Sequence, residues 1–108
     1  MKSKNIKVYD NGGKTMDRYT VVYLNDKQGI VSNNGGSMLF GCVGMNETPL
    51  APNGFCQHST CLDGKHLGKK IAFKNLPVDC QEIVLIDLKS FKETRRLIDN
   101  NYENLIRN

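Results

Sequence analysis

The chain has 108 residues, 39% of them hydrophobic and 24% charged, with a net charge of +4 and no tryptophan. That length fits one domain, 1–108, able to bury a core without covalent staples. The longest apolar run, Ile83-Val84-Leu85-Ile86, is far too short for a membrane span, and no apolar stretch follows Lys2 and Lys4, so a cytoplasmic protein without a leader or membrane partner is expected.

The chain changes character at about residue 75. All 10 glycines fall within 1–75, which reads as strands and turns, whereas 76–108 is glycine-free and reads as helix. Strands are expected at about 5–9, 18–24, 28–32 and 37–44. Tyr19, Val21 and Tyr23 alternate with Thr20, Val22 and Leu24. Asn25-Asp26-Lys27-Gln28-Gly29 reads as a short hairpin loop and Ser32-Asn33-Asn34-Gly35-Gly36 as a second turn. The glycines at 41 and 44 mark a bulge or a close backbone approach. From Met45 to Gly68 periodicity is lost; Pro49, Pro52, Gly54, Gly64 and Gly68 punctuate a long loop, which Phe55, Leu62 and Leu67 are expected to pin in an ordered form. Lys70-Ile71-Ala72-Phe73 is a brief extended segment.

Two helices are expected to close the chain. Pro77 and Asp79 suit a first turn, and Cys80, Ile83, Val84, Leu88 and Phe91 form one apolar stripe. Leu85 and Ile86 lie off that stripe. Either this helix is sandwiched between the sheet and the last helix, or Leu85 and Ile86 form a homodimer contact. Ser90-Phe91-Lys92-Glu93 reads as a capping box opening a second helix over about 91–106, with Leu97, Ile98, Tyr102, Leu105 and Ile106 on one side. The expected fold is α+β: a small antiparallel meander of three or four strands, a long ordered loop, and two C-terminal helices packed on one face.

The turn before the second strand is the richest in polar groups. Asp10-Asn11-Gly12-Gly13-Lys14-Thr15 lacks the first glycine of a P-loop and runs into a strand, not a helix, which excludes nucleotide hydrolysis by that route. Two readings stand: a plain hairpin turn, or a nest of backbone amides that receives an anion with Arg18. Asp17-Arg18 is either a strand-end ion pair or a guanidinium aimed at a phosphate or carboxylate.

Cys56-Gln57-His58-Ser59-Thr60-Cys61 followed by His66 supplies the right number of zinc ligands at an unusual spacing, and Cys42 and Cys80 lie far off in sequence. The alternatives are a metal on Cys56, His58, Cys61 and His66, a Cys/His nucleophile pairing Cys56 or Cys61 with His58, or scattered reduced thiols. No third group to orient the histidine is evident, and no cofactor motif is present.

Three stretches carry a family resemblance. They are Tyr9-Asp10-Asn11-Gly12-Gly13 with Thr15 and Asp17-Arg18-Tyr19-Thr20-Val21-Val22; Gly54-Phe55 with Gln57-His58-Ser59; and His66-Leu67-Gly68-Lys69-Lys70-Ile71 with Phe73 and Leu76-Pro77. Over about residues 6–89 the chain resembles an uncharacterised family of small proteins of phages, prophages and plasmids. The sequence departs from that pattern at Cys56, where glycine is expected, and at Cys80, where an aliphatic residue is common. The departure at Cys56 counts against an obligatory ligand or nucleophile there. The resemblance implies a mobile-element accessory role.

The expected function is a non-enzymatic binding protein for a small polar or phosphorylated ligand, or for a host protein. Its site would use Asp10, Asn11, Asp17, Arg18, Tyr19, Gln57 and His58. A nucleic-acid-binding module using the lysines at 65–74 and the N-terminal lysines is the second reading. A small Cys/His metal protein or hydrolase is the third.

Overall fold

The computed structural model describes residues 5–32 and 35–107, with side chains described as far as residue 94. Five strands form one antiparallel sheet: β1 (Ile6–Asp10), β2 (Tyr19–Val31), β3 (Ser37–Met45), β4 (Cys56–Leu62) and β5 (Lys69–Ile71). Their spatial order is β4-β3-β2-β1-β5. The first four strands are a meander; the chain then crosses back so that β5 pairs with β1, Val8 opposite Ile71. One helix, α1 (Val78–Arg107), completes the α+β fold.

Both faces of the central strands are covered, which is why Tyr19 to Tyr23 are all buried. On one face Ile6, Val8, Tyr19, Val21, Tyr23, Val43 and Met45 pack against Leu76, Cys80 and Val84, the last two on α1. On the other, Tyr9, Val22 and Cys42 are closed over by Leu24, Phe40, Cys61 and Leu67. Cys61 and Leu67 bracket the crossover from β4 to β5.

Three expectations are corrected. The segment 25–29 is not a hairpin loop between two strands. It lies inside the 13-residue β2, where the register slips between Tyr23 and Lys27 and again between Lys27 and Gly29. The bulge is accommodated by Gly41 opposite: a Cβ there would stand 1.9 Å from the Asp26 carboxylate. The long loop is interrupted by β4. Five of its seven residues are exposed, so no apolar alternation announced it. Of what remains, 46–55 is closed by Asn46, whose side chain accepts from the amides of Thr48 and Phe55 and whose own amide donates to Phe55, and 63–68 leads into β5.

The two C-terminal helices are one. No glycine or proline lies between Val78 and Arg107, and an interior serine costs only a few tenths of a kcal/mol in a helix. Ser90 therefore continues α1 where a capping box would have begun a new helix. The predicted stripe does face the sheet: Cys80 and Val84 are buried, Ile83 and Leu88 pack against the same cluster, and Phe91 meets Tyr23 edge to face with ring centroids 5.1 Å apart. Without a returning helix, Leu85 and Ile86 stay exposed. No helix among the described residues is long and apolar enough to cross a membrane. The expectations placed on Lys2, Lys4, Asn33 and Asn34, and on the side chains from Arg95 onward, fall outside what is described.

Candidate functional site

The turn between β1 and β2 is wired by its own side chains. Asn11 Oδ1 accepts from the amides of Gly13 and Lys14, and its Nδ2 donates to Thr15 Oγ1 and to the Asp17 carbonyl. Asp10 Oδ1 accepts from the Gly12 amide. Thr15 Oγ1 in turn donates to Asp17. The amides at 12, 13 and 14, which would form an anion nest, already have internal acceptors. Gly12 and Gly13 hold positive φ to make that possible.

Arg18 is committed in the same way. Its Nε and Nη2 donate to the two oxygens of Asp10 at 2.9 and 3.2 Å, and Nη1 donates to Glu47 at 2.8 Å. The guanidinium lies 5.1 Å from the centroid of the Tyr19 ring. Hydrogen bonding to Arg18 holds the Asp10 carboxyl below its ordinary value. Tyr19 is buried in the core beneath that guanidinium, so its ring serves packing.

Of the predicted site residues, Asp10 and Asn11 line one cleft of about 490 Å3, with Gly12, Lys14, Lys65, His66, Gly68 and Lys69. Gly68 makes that junction: its φ is +124°, and a Cβ there would meet the Asp10 carbonyl oxygen at 2.5 Å. Asp17 and Gln57 come together elsewhere, in a smaller cavity of about 110 Å3 that also holds Thr20, Cys42, Ser59 and Cys61. His58 joins neither. Its partner in the ladder is Val43, on the helix side of the sheet, whereas Gln57 lies opposite Gly44. His58 Nε2 sits 2.9 Å from Asp87 Oδ2, which also accepts from the buried Tyr23 hydroxyl at 2.6 Å. Burial, then that hydrogen bond, push the Tyr23 phenol far up.

Asp87 is thus the orienting carboxylate that local sequence does not offer His58. Of the two cysteines paired with His58 in the sequence reading, Cys61 lies on the opposite sheet face. Cys56 shares the face, but burial and then Asp87 push its thiol up, away from nucleophilic character. His66 is in the cleft with Asp10, so the four proposed metal ligands are not gathered at one point. No group of three or more histidine, cysteine or acidic side chains suited to a metal occurs among the described residues.

Sequence reasoning assigned the lysines at 65–74 to a nucleic-acid surface and did not place Lys65 and Lys69 in a cleft with Asp10, and it missed a pair of thiols. Cys42 and Cys61 meet on the face away from α1: a hydrogen bond from Cys61 and another from Ser59 draw the Cys42 thiol down against its burial, and the Cys61 thiol is pushed up by the same contact. Only the β3–β4 register brings them together, and β4 itself was not recognised as a strand. Asp63, beyond β4, holds Lys7 Nζ at 2.7 Å and the Tyr9 hydroxyl at 2.5 Å. Burial and that carboxylate push the Tyr9 phenol up to about 12.

No protein-family model, curated protein or solved structure matches the chain.

Proposed function

We propose that this chain is a non-enzymatic binding protein, in keeping with the mobile-element accessory role that its resemblance implies, and that its ligand is a small phosphorylated or otherwise anionic molecule. The site is the cleft between the β1–β2 turn and the turn before β5. One observation carries this reading. Lys14, Lys65 and Lys69 line that cleft without a salt bridge among the described residues, while Asp10, the acid in its wall, is held by Arg18. The cleft therefore presents a net positive, roomy surface in which ammonium groups meet phosphate as point charges. Arg18 positions the wall and does not contact the ligand.

The test is calorimetric titration with pyrophosphate and with a mononucleotide. Saturable binding at one site per chain is expected, weakened about tenfold by Lys65→Ala or Lys69→Ala, or ~1.4 kcal/mol each. Heats that are absent, or unchanged in both variants, overturn the reading.

A nucleic-acid partner remains the second reading, because exposed Lys69, Lys70 and Lys74 follow one another along β5 and the turn after it. A shallow groove lined by Lys7 and Lys70 continues that basic strip. Affinity for an oligonucleotide that falls steeply with salt would favour it over the small ligand.

We also propose a homodimer through the outer face of α1, where Leu85 and Ile86 are 47% and 61% exposed.

A further inference from the structure

The second cavity holds chemistry that the lysine cleft does not use. In the β3–β4 ladder Cys42 stands opposite Ser59 and Cys61 opposite Phe40, so the two cysteines are diagonal neighbours on adjacent strands. Each thiol is the leading influence on the other's proton affinity. Ser59 Oγ lies 3.4 Å from Cys42 Sγ. All three line a cavity of about 110 Å3 whose other walls include Asp17, Thr20 and Gln57.

Two products of such a pair can be weighed by geometry. Diagonal neighbours have Cα atoms about 7–8 Å apart, whereas a disulfide needs roughly 4.4–6.8 Å. Closing a disulfide would drag β3 and β4 out of a register held from Leu39 to Met45. A cation held by two sulfurs tolerates a wider separation, since two metal–sulfur bonds of about 2.3 Å span up to roughly 4.6 Å between the sulfurs. Zinc would need four ligands, and no such cluster exists among the described residues. A soft cation content with two thiolates is Cu(I).

We infer that Cys42 and Cys61 form a two-thiolate site for Cu(I), with Ser59 at its edge and the Asp17 carboxylate in the same cavity. Binding forms two copper–sulfur bonds and releases the two thiol protons, with no change of oxidation state. The site shares no residue with the lysine cleft and stands independently of the ligand proposed there.

The experiment is an anaerobic titration of the full chain with Cu(I) against a chromophoric Cu(I) chelator, followed by thiol alkylation and mass spectrometry. One Cu(I) per chain is expected to be withheld from the chelator, with Cys42 and Cys61 protected and the exposed Cys56 alkylated. Cys56→Ser retains the copper and Cys61→Ser loses it. Cys61 is only half-buried, so its serine variant is the one to make, with far-UV circular dichroism confirming the fold. If the chelator takes all the copper, if Cys61→Ser still withholds one equivalent, or if Cys56 is protected in place of Cys61, the inference is overturned.

Discussion

At the scale of single residues, the polar groups of this chain are mostly spent on one another. Asn11 makes four hydrogen bonds within its own turn, Arg18 joins Asp10 to Glu47, and Asp63 joins Lys7 to Tyr9. The surplus polarity of the β1–β2 turn was visible in the sequence; its use was not, because Glu47 and Asp63 lie far along the chain. A pH dependence follows. Hydrogen bonding to Arg18 holds Asp10 below its ordinary value of 3.8; Asp63 stays below it too, although burial opposes this, through the bonds from Lys7 and Tyr9. Each carboxylate binds protons less readily folded than unfolded. Its contribution is therefore full above the unfolded value and is lost as pH falls through the folded one. Urea unfolding measured from about pH 6 to 2 should show Asp10→Asn and Asp63→Asn each destabilising near pH 6, with the deficit shrinking toward pH 2. A deficit that stays constant would show that the lost carboxylate's charge is not what matters.

At the scale of elements, periodicity located β1, β3, β5, the start of α1 and its sheet-facing stripe. It failed where one residue's meaning depends on another strand. Asp26 and Gly29 read as turn residues, yet both lie within β2, and Gly41 across the sheet leaves room for Asp26 in the bulge. β4 is polar because it is an edge strand, and its identity rests on pairing with β3. Ser90 satisfied a capping pattern but sits in mid-helix. Serine at a true N-cap contributes about 1 kcal/mol, whereas in a helix interior alanine is preferred by about 0.5 kcal/mol. Ser90→Ala should therefore raise the urea midpoint slightly; a clear fall would restore the second helix. The joint between helix and sheet is carried by Asp87, which receives both Tyr23 and His58. The sequence gives no sign of this, since these groups come from α1, β2 and β4.

At the scale of the whole molecule, α1 spans 30 residues, about 45 Å at 1.5 Å per residue. Its stripe from Cys80 to Phe91 meets the sheet, and 92–94 are exposed. The single long helix removes the sandwich reading of Leu85 and Ile86, and the homodimer proposed through them is open to a direct test. Sedimentation velocity over a concentration series should show reversible dimer formation in the wild type and a monomer for Ile86→Glu, a substitution at an exposed position that leaves the core intact. A wild-type chain that stays monomeric throughout would refute the dimer.

The return of the chain from β4 to β5 has a further consequence during synthesis. Residues 6–45 can pair as successive hairpins as soon as they leave the ribosome, since each strand's partner is its neighbour in sequence. The free side of β1 cannot. Lys7 waits for Asp63, 56 residues later, and Val8 for Ile71; Tyr9 stays uncovered until Cys61 and Leu67 arrive. Non-local pairing of this kind is slow. The nascent meander therefore carries an open strand edge and an exposed tyrosine until residues 61–71 emerge, and that segment, by supplying Cys61, Leu67 and β5, acts as the clasp that ends that exposure.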